Sequence, residues 1–174
     1  MIDALSIAGR SDIAWALATQ TTYPSWSEMM KRFNTMCEFW TLKQSHNHVM
    51  MGSIDAWFYK TLVGINLDED HPAYEVFTIK PFLASGLSHA NGSVESLRGT
   101  ISAGWKLTNN SFELNVSVPF NTKAQVYVPA AKGTRIYEHN SLAEDAEGVS
   151  SLRYENGYHL FELASGNYKF TYAK

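Results

Sequence analysis

The sequence predicts an α+β chain, helical over its first third and an antiparallel β-sandwich beyond. Three observations carry this prediction. Up to residue 65 apolar residues recur at steps of three and four. Beyond Pro72 the period changes to two, with turn residues at regular intervals. Between the two regimes Asn66 to His71 is an acidic, polar stretch closed by Pro72. The expected organisation is therefore helices over 1–66, a linker over 67–73 and a sandwich over 74–174.

The first expected helix runs from Asp12 to Gln20. Ser11 is its N-cap, and Asp12 places negative charge at the positive helix end. Ile13, Trp15, Ala16, Leu17 and Ala18 crowd this short segment, so it is expected to be well buried. Thr21-Thr-Tyr23-Pro24 breaks it, because the residue before proline disfavours the helical region. Pro24 suits the first position of the next helix, whose stripe runs through Trp26, Met29, Met30, Phe33, Met36, Cys37 and Trp40. That stripe allows one helix to Trp40, or a break near Phe33-Asn34 and a restart at Thr35. The capping-box signature Thr35-Met-Cys-Glu38 favours the break and puts Glu38 in the first turn of a helix, at its mouth. Asn47 caps a third helix with Ile54, Trp57, Phe58, Thr61, Leu62 and Ile65 on one face, and Gly64 marks its end.

Strand-like alternation follows at 76–80, and Leu87 to Leu97 carries an Asn91-Gly92 turn signal. Further runs are Ile101–Leu107, Phe112–Val118, Ala124–Val128, Leu152–Tyr154, Tyr158–Leu163 and Tyr168–Tyr172, with Asn156-Gly157 as a second turn signal. Ala143 to Ser150 reads as an acidic surface loop. Many short strands with evenly spaced turns make a sandwich.

Composition narrows the function. A net charge of −3 over 174 residues argues against a nucleic-acid surface, which would cluster Lys and Arg. No apolar run approaches the length of a membrane span, and Met1 to Arg10 lacks the basic start and apolar run of a signal peptide. Cys37 is the only cysteine, so no intrachain disulfide forms; with no basic neighbour it reads as a buried, inert thiol. Four of the five Trp fall before residue 60. That excess in the helical third suits core packing, and also a sugar site in which flat ring faces stack on a pyranose.

Glu38 is the leading candidate for chemistry. An inverting glycosidase needs one carboxylic acid to protonate the leaving oxygen and one carboxylate to activate water. The competing role for a Glu at this helix position is to satisfy the cap. His48 can donate to a sugar hydroxyl at the same mouth. His46 and His48 resemble a metal pair, but no third ligand stands at convincing spacing, so neither metal nor cofactor is expected. Tyr23, Trp26, Trp40 and Trp57 are candidates to line a cleft, with core packing the default for the three tryptophans. No nucleophile elbow, phosphate loop or dinucleotide fingerprint is present.

Taken together, several blocks resemble the bacterial α-L-rhamnosidases of glycoside hydrolase family 78. They are Ala18-Thr-Gln-Thr-Thr-Tyr-Pro-Ser-Trp26, the Thr-x-x-Glu-x-Trp block ending at Trp40, Ser45-His-Asn-His48 and Gly52-Ser-Ile-Asp-Ala-Trp-Phe-Tyr59. Ile79-Lys-Pro81, Ala90-Asn-Gly-Ser93, Gly99-Thr-Ile-Ser102 with Trp105, and Pro119-Phe-Asn-Thr-Lys-Ala124 continue it in the family's order. The resemblance implies the last helices of an incomplete six-hairpin (α/α)6 barrel followed by a C-terminal β-sandwich. It implies an inverting hydrolase releasing L-rhamnose from glycosides, with Glu38 as general base and His48 on the sugar; Trp40 and Tyr23, from the aromatic candidates, are expected to bind the same sugar. Cys37 stands where an aromatic usually precedes the glutamate, Phe33-Asn34 replaces a smaller pair, and the connection from Trp40 to Ser45 is short. These departures alter the wall of the site and bear on rhamnose as the substrate.

No Asp or Glu matches the family's general acid, so the chain is expected to be a C-terminal fragment, inactive alone, whose partners are a rhamnose-containing glycoside and the remaining barrel helices. Two alternatives compete. One is a non-catalytic sandwich module that binds carbohydrate or docks a partner, in which sugar would protect Trp105 or Tyr127. The other is a homo-oligomer that completes its helical layer between chains, with Trp15 or Trp26 at the contact. The sequence leaves the compartment open.

Overall fold

In the structure, a computed structural model that describes residues 1–174, the helical part consists of short helices. They are α1 (Ile2–Ile7), α2 (Ser11–Ala18), α3 (Trp26–Phe33), α4 (Val49–Gly52) and α5 (Ile54–Trp57), followed by a π-helical turn over Phe58–Val63. The helix α1 was not foreseen. Ser11 is not a cap: α2 begins at Ser11 itself, and that hydroxyl donates to Ser6 Oγ at 3.1 Å. Only Ala14 of α2 is fully buried; Ile13, Trp15 and Leu17 are half-buried and Ala16 is exposed, so the segment is less enclosed than expected. The same Ser6 hydroxyl accepts from Trp57 Nε1 at 2.8 Å, so one small side chain ties α1, α2 and α5 together.

Pro24 does not start α3. The N-cap is Ser25, itself buried, whose Oγ accepts from the Glu28 amide at 3.1 Å. The Glu28 carboxylate turns instead to Arg32 at 2.6 Å, one helical turn on. At the other end Asn34 takes the left-handed conformation (φ 53°) and returns its amide to Met30 O at 2.9 Å. That αL cap stops the helix at Phe33, where the sequence placed a break. The restart at Thr35 does not occur: residues 34–48 are irregular. The third helix is correspondingly shorter and divided, and its N-cap is His48 rather than Asn47. Gly64, with φ 90°, ends it.

The chain divides into two compact units, Met1–Thr61 and Leu62–Lys174. Residues 62–67 join the second unit because β1 (Ile65–Leu67) pairs with β2 (Val76–Ile79), with Leu67 opposite Phe77. The remaining strands are β3 (His89–Ser96), β4 (Gly99–Leu107), β5 (Ser111–Val118), β6 (Lys123–Pro129), β7 (Tyr137–Glu138), β8 (Ser141–Leu142), β9 (Val149–Glu155), β10 (Tyr158–Leu163) and β11 (Gly166–Ala173). They form two sheets, ordered β1-β2-β6-β10-β9 and β3-β4-β5-β11-β7-β8. Pairing is antiparallel except between β2 and β6, which run parallel because the chain between them builds β3 to β5 in the opposite sheet.

Alternation sets the core. Along β5 every second residue is buried, Phe112, Leu114, Val116 and Val118, and β6 buries Ala124, Val126 and Val128. Phe161 of β10 and Phe170 of β11 stack between the sheets with centroids 5.4 Å apart. The Asn91-Gly92 pair is not a turn. Both residues lie inside β3, opposite Gly104 and Ala103 of β4, because continuous pairing with β4 from His89 to Ser96 outweighs the local signal. Asn156-Gly157 does turn, with positive φ at both residues. Ala143 and Val149, expected in an exposed loop, are buried in the core.

Leu62 to Gly64 is fixed to the sandwich by backbone groups. Trp105 Nε1 donates to Leu62 O at 2.7 Å, and the Lys80 amide donates to Gly64 O at 2.9 Å. A Cβ on Gly64 would overlap the Lys80 carbonyl carbon and the Pro81 nitrogen, both backbone atoms. Gly64→Ala is therefore expected to lower stability by about 3 kcal/mol or more in urea unfolding. Gly133→Ala, at a similar φ of 84° with open space around it, is expected to cost only about 1 kcal/mol.

Candidate functional site

The segment 34–48 folds back on itself. The Glu38 amide donates to Ser45 O at 2.8 Å, and the His48 amide donates to Met36 O at 2.9 Å. Leu42 and Gln44 adopt positive φ (59° and 70°), and the Leu42 amide closes on Phe39 O at 2.9 Å, which makes the short Trp40–Ser45 connection a tight turn. Glu38 and His48 thus stand on two adjoining arms of one loop. The capping box does not form: Glu38 Oε2 faces the Ser45 amide at 3.4 Å, a long contact that leaves carboxylate acceptor capacity unused. Both side chains are half-buried.

His48 has a defined tautomer. Its Nδ1 accepts from the Met50 amide at 3.3 Å as the N-cap of α4, so the neutral ring carries its proton on Nε2 and offers a donor there. His46 is used differently. It packs on Phe33 with ring centroids 4.2 Å apart, and no cluster of three His, Cys, Asp or Glu gathers to hold a metal ion. Cys37, between Met36 and Glu38 on the first arm, is fully buried with its thiol free.

Trp40 enters a cleft of about 280 Å³ with Trp26, Met50, Met51, Ile54 and Trp57 in its lining. Trp26 and Trp40 meet edge to face at 5.1 Å, and Trp26 Nε1 donates to Met51 O at 2.9 Å, which fixes the indole. Trp57 is a core residue, 1% exposed. The methionines went unmarked in the sequence; they continue the stripe that includes Ile54 and Trp57. Tyr23 stands apart from that lining, 56% exposed beside Pro24. In the sandwich, Trp105 is 2% exposed and its N–H is spent on Leu62, so it offers no face to a sugar, contrary to the expectation for a binding module. Tyr127 is half-buried with the Lys80 ammonium 4.7 Å from its ring centre.

Known proteins resemble the chain along nearly its whole length. The family model described as the bacterial alpha-L-rhamnosidase 6 hairpin glycosidase domain matches residues 1–62. The model described as the bacterial alpha-L-rhamnosidase C-terminal domain matches 64–143. An alpha-L-rhamnosidase of Alteromonas sp. (strain LOR) is 33% identical over 94% of the chain and 18% of its own length. The alpha-L-rhamnosidase structure from Dictyoglumus thermophilum superposes with a TM-score of 0.87 at 29% identity, over 99% of this chain and 20% of that one. The Streptomyces avermitilis enzyme complexed with L-rhamnose superposes with a TM-score of 0.85 at 30% identity, over 98% and 17%. The chain thus spans about a fifth of the length of the relatives it matches.

The two Ser/Thr-x-x-Glu signatures separate experimentally. Ser25→Ala removes the N-cap acceptor of α3 and is expected to cost about 1 kcal/mol in chemical unfolding followed by far-UV circular dichroism. Thr35→Ala removes no cap and is expected to stay within about 0.5 kcal/mol of the parent.

Proposed function

The chain belongs to the bacterial α-L-rhamnosidase family, and from that premise we propose that it supplies the water-activating part of an inverting hydrolase acting on α-L-rhamnosides. Residues 1–66 close a six-hairpin barrel with hairpins outside these 174 residues. Glu38 is the general base. As a water oxygen bonds to the anomeric carbon, the Glu38 carboxylate takes its proton. A carboxylic acid from another hairpin gives a proton to the departing glycosidic oxygen. The two carboxyl groups stand roughly 6.5–9.5 Å apart so that water fits between them. His48 donates from Nε2 to a sugar hydroxyl, and Trp40 and Tyr23 offer ring faces to the pyranose.

The observation that carries this reading is the pair of backbone bonds that holds Glu38 and His48 on adjoining arms of one loop. The unused acceptor capacity of Glu38 and the Nε2 proton of His48 both support it. With only one of the two carboxyl groups, the chain alone has no useful turnover.

Two measurements test the reading. The purified chain is expected to leave an aryl α-L-rhamnoside unhydrolysed; turnover that disappears on Glu38→Gln would overturn the claim of inactivity. Substituted for the matching segment of a full-length relative, the chain is expected to restore hydrolysis with β-L-rhamnose as the first-formed anomer. Glu38→Gln in that chimera is expected to lower kcat by about 10²–10⁴ with KM little changed. An active chimera indifferent to Glu38→Gln would rule Glu38 out.

A further inference from the structure

A second cleft lies wholly within Leu62–Lys174. It opens beside the link between the two sheets: β8 is the edge of the six-stranded sheet, β9 the edge of the five-stranded one, and residues 143–148, beginning with a 3-10 turn over Ala143–Asp145, join them. Its volume of about 480 Å³ falls in the range of small-molecule sites. Ile136 and Phe161, 5% and 3% exposed, form an apolar floor, and Arg135, Glu144, Ser151 and His159 supply the polar lining.

The polar groups are arranged for hydroxyls rather than for an ion. Arg135 and Glu144 bring one charge of each sign to the same cleft without pairing, so neither a net anion nor a net cation is favoured there. A ligand hydroxyl can accept from the guanidinium and donate to the carboxylate. His159 Nε2 donates to Ala131 O at 3.0 Å, so its neutral ring keeps Nδ1 as an acceptor. The β9–β10 register shifts between Leu160 and Phe161, pairing Leu160 with Arg153 and Phe161 with Ser151. That bulge re-aims the β9 side chains beside the cleft, a device common at ligand-binding edges. An apolar floor under mixed donors and acceptors matches the amphipathic surface of a pyranose.

We propose that this cleft is a second saccharide site, taking one or two neutral pyranose units away from the Glu38 loop. The inference does not depend on Glu38 acting as a base. The test is a titration of the ¹⁵N-labelled full chain with methyl α-L-rhamnopyranoside, and separately with a methyl uronide, followed by amide shifts. Saturable shifts are expected at Arg135, Ser151 and His159. Arg135→Ala and the cleft-filling Ser151→Trp are each expected to weaken binding by at least about tenfold with circular dichroism unchanged. Shifts absent from 133–161, shifts confined to 23–57, or affinity retained in both variants would overturn the site. Shifts confined to 23–57 would leave the proposal for Glu38 standing. Preference for the uronide by about tenfold would overturn the neutral ligand class.

Discussion

Two backbone hydrogen bonds, Glu38 to Ser45 and His48 to Met36, govern what the helical unit can do. Had residues 38–48 formed one helix, the rise of 1.5 Å per residue would set the two residues about 15 Å apart along its axis. Folded back as adjoining arms, the same backbone sets Glu38 opposite Ser45 and His48 opposite Met36, a diagonal pair roughly 7–8 Å apart. In the proposed mechanism, that separation lets a carboxylate and an imidazole donor address one sugar. Asn34 makes the arrangement accessible, because its left-handed cap stops α3 before the helix could run on.

The two units differ in how they are held. In the sandwich, alternating strands bury stacked phenylalanines and a row of aliphatic residues, and the core is continuous. The helical unit leans on a few specific contacts: the Ser6 hydroxyl shared by Trp57 and Ser11, and the Trp26 indole locked on Met51. It leaves large apolar side chains in solvent, Ile7 at 87% and Val49 at 83% exposure among them. Exposed aliphatic surface of this kind is open to a covering layer, which the proposed function assigns to other hairpins of a barrel. The sequence's amphipathic stripes without a matching set of helices reflect the same physics.

Much of the fold was legible because long alternating runs are hard to satisfy any other way; β4, β5, β6 and β11 follow their patterns closely. Where short signals competed with long-range pairing, pairing won. Asn91-Gly92 is a turn dipeptide that sits in mid-strand, whereas Asn156-Gly157, with strand on each side and nothing opposing it, turns. Thr35-x-x-Glu38 and Ser25-x-x-Glu28 read alike, yet only Ser25 caps, because residues 36–38 bond across the loop to 45–48. Strands β7 and β8 have two residues each, too few to show a period. Glu38 and His48 were singled out by family resemblance; their placement on adjoining arms of one loop was not legible, since it depends on bonds between residues seven and twelve apart.

The most direct measurement is a crystal structure, with L-rhamnose bound, of a full-length relative carrying these residues in place of its own segment. The account predicts a water within about 2.6–3.2 Å of the Glu38 carboxylate, on the face of the anomeric carbon opposite the leaving oxygen, with His48 Nε2 on a sugar hydroxyl. A sugar bound with the Glu38 carboxylate turned away, still on the Ser45 amide and distant from the anomeric carbon, would contradict it.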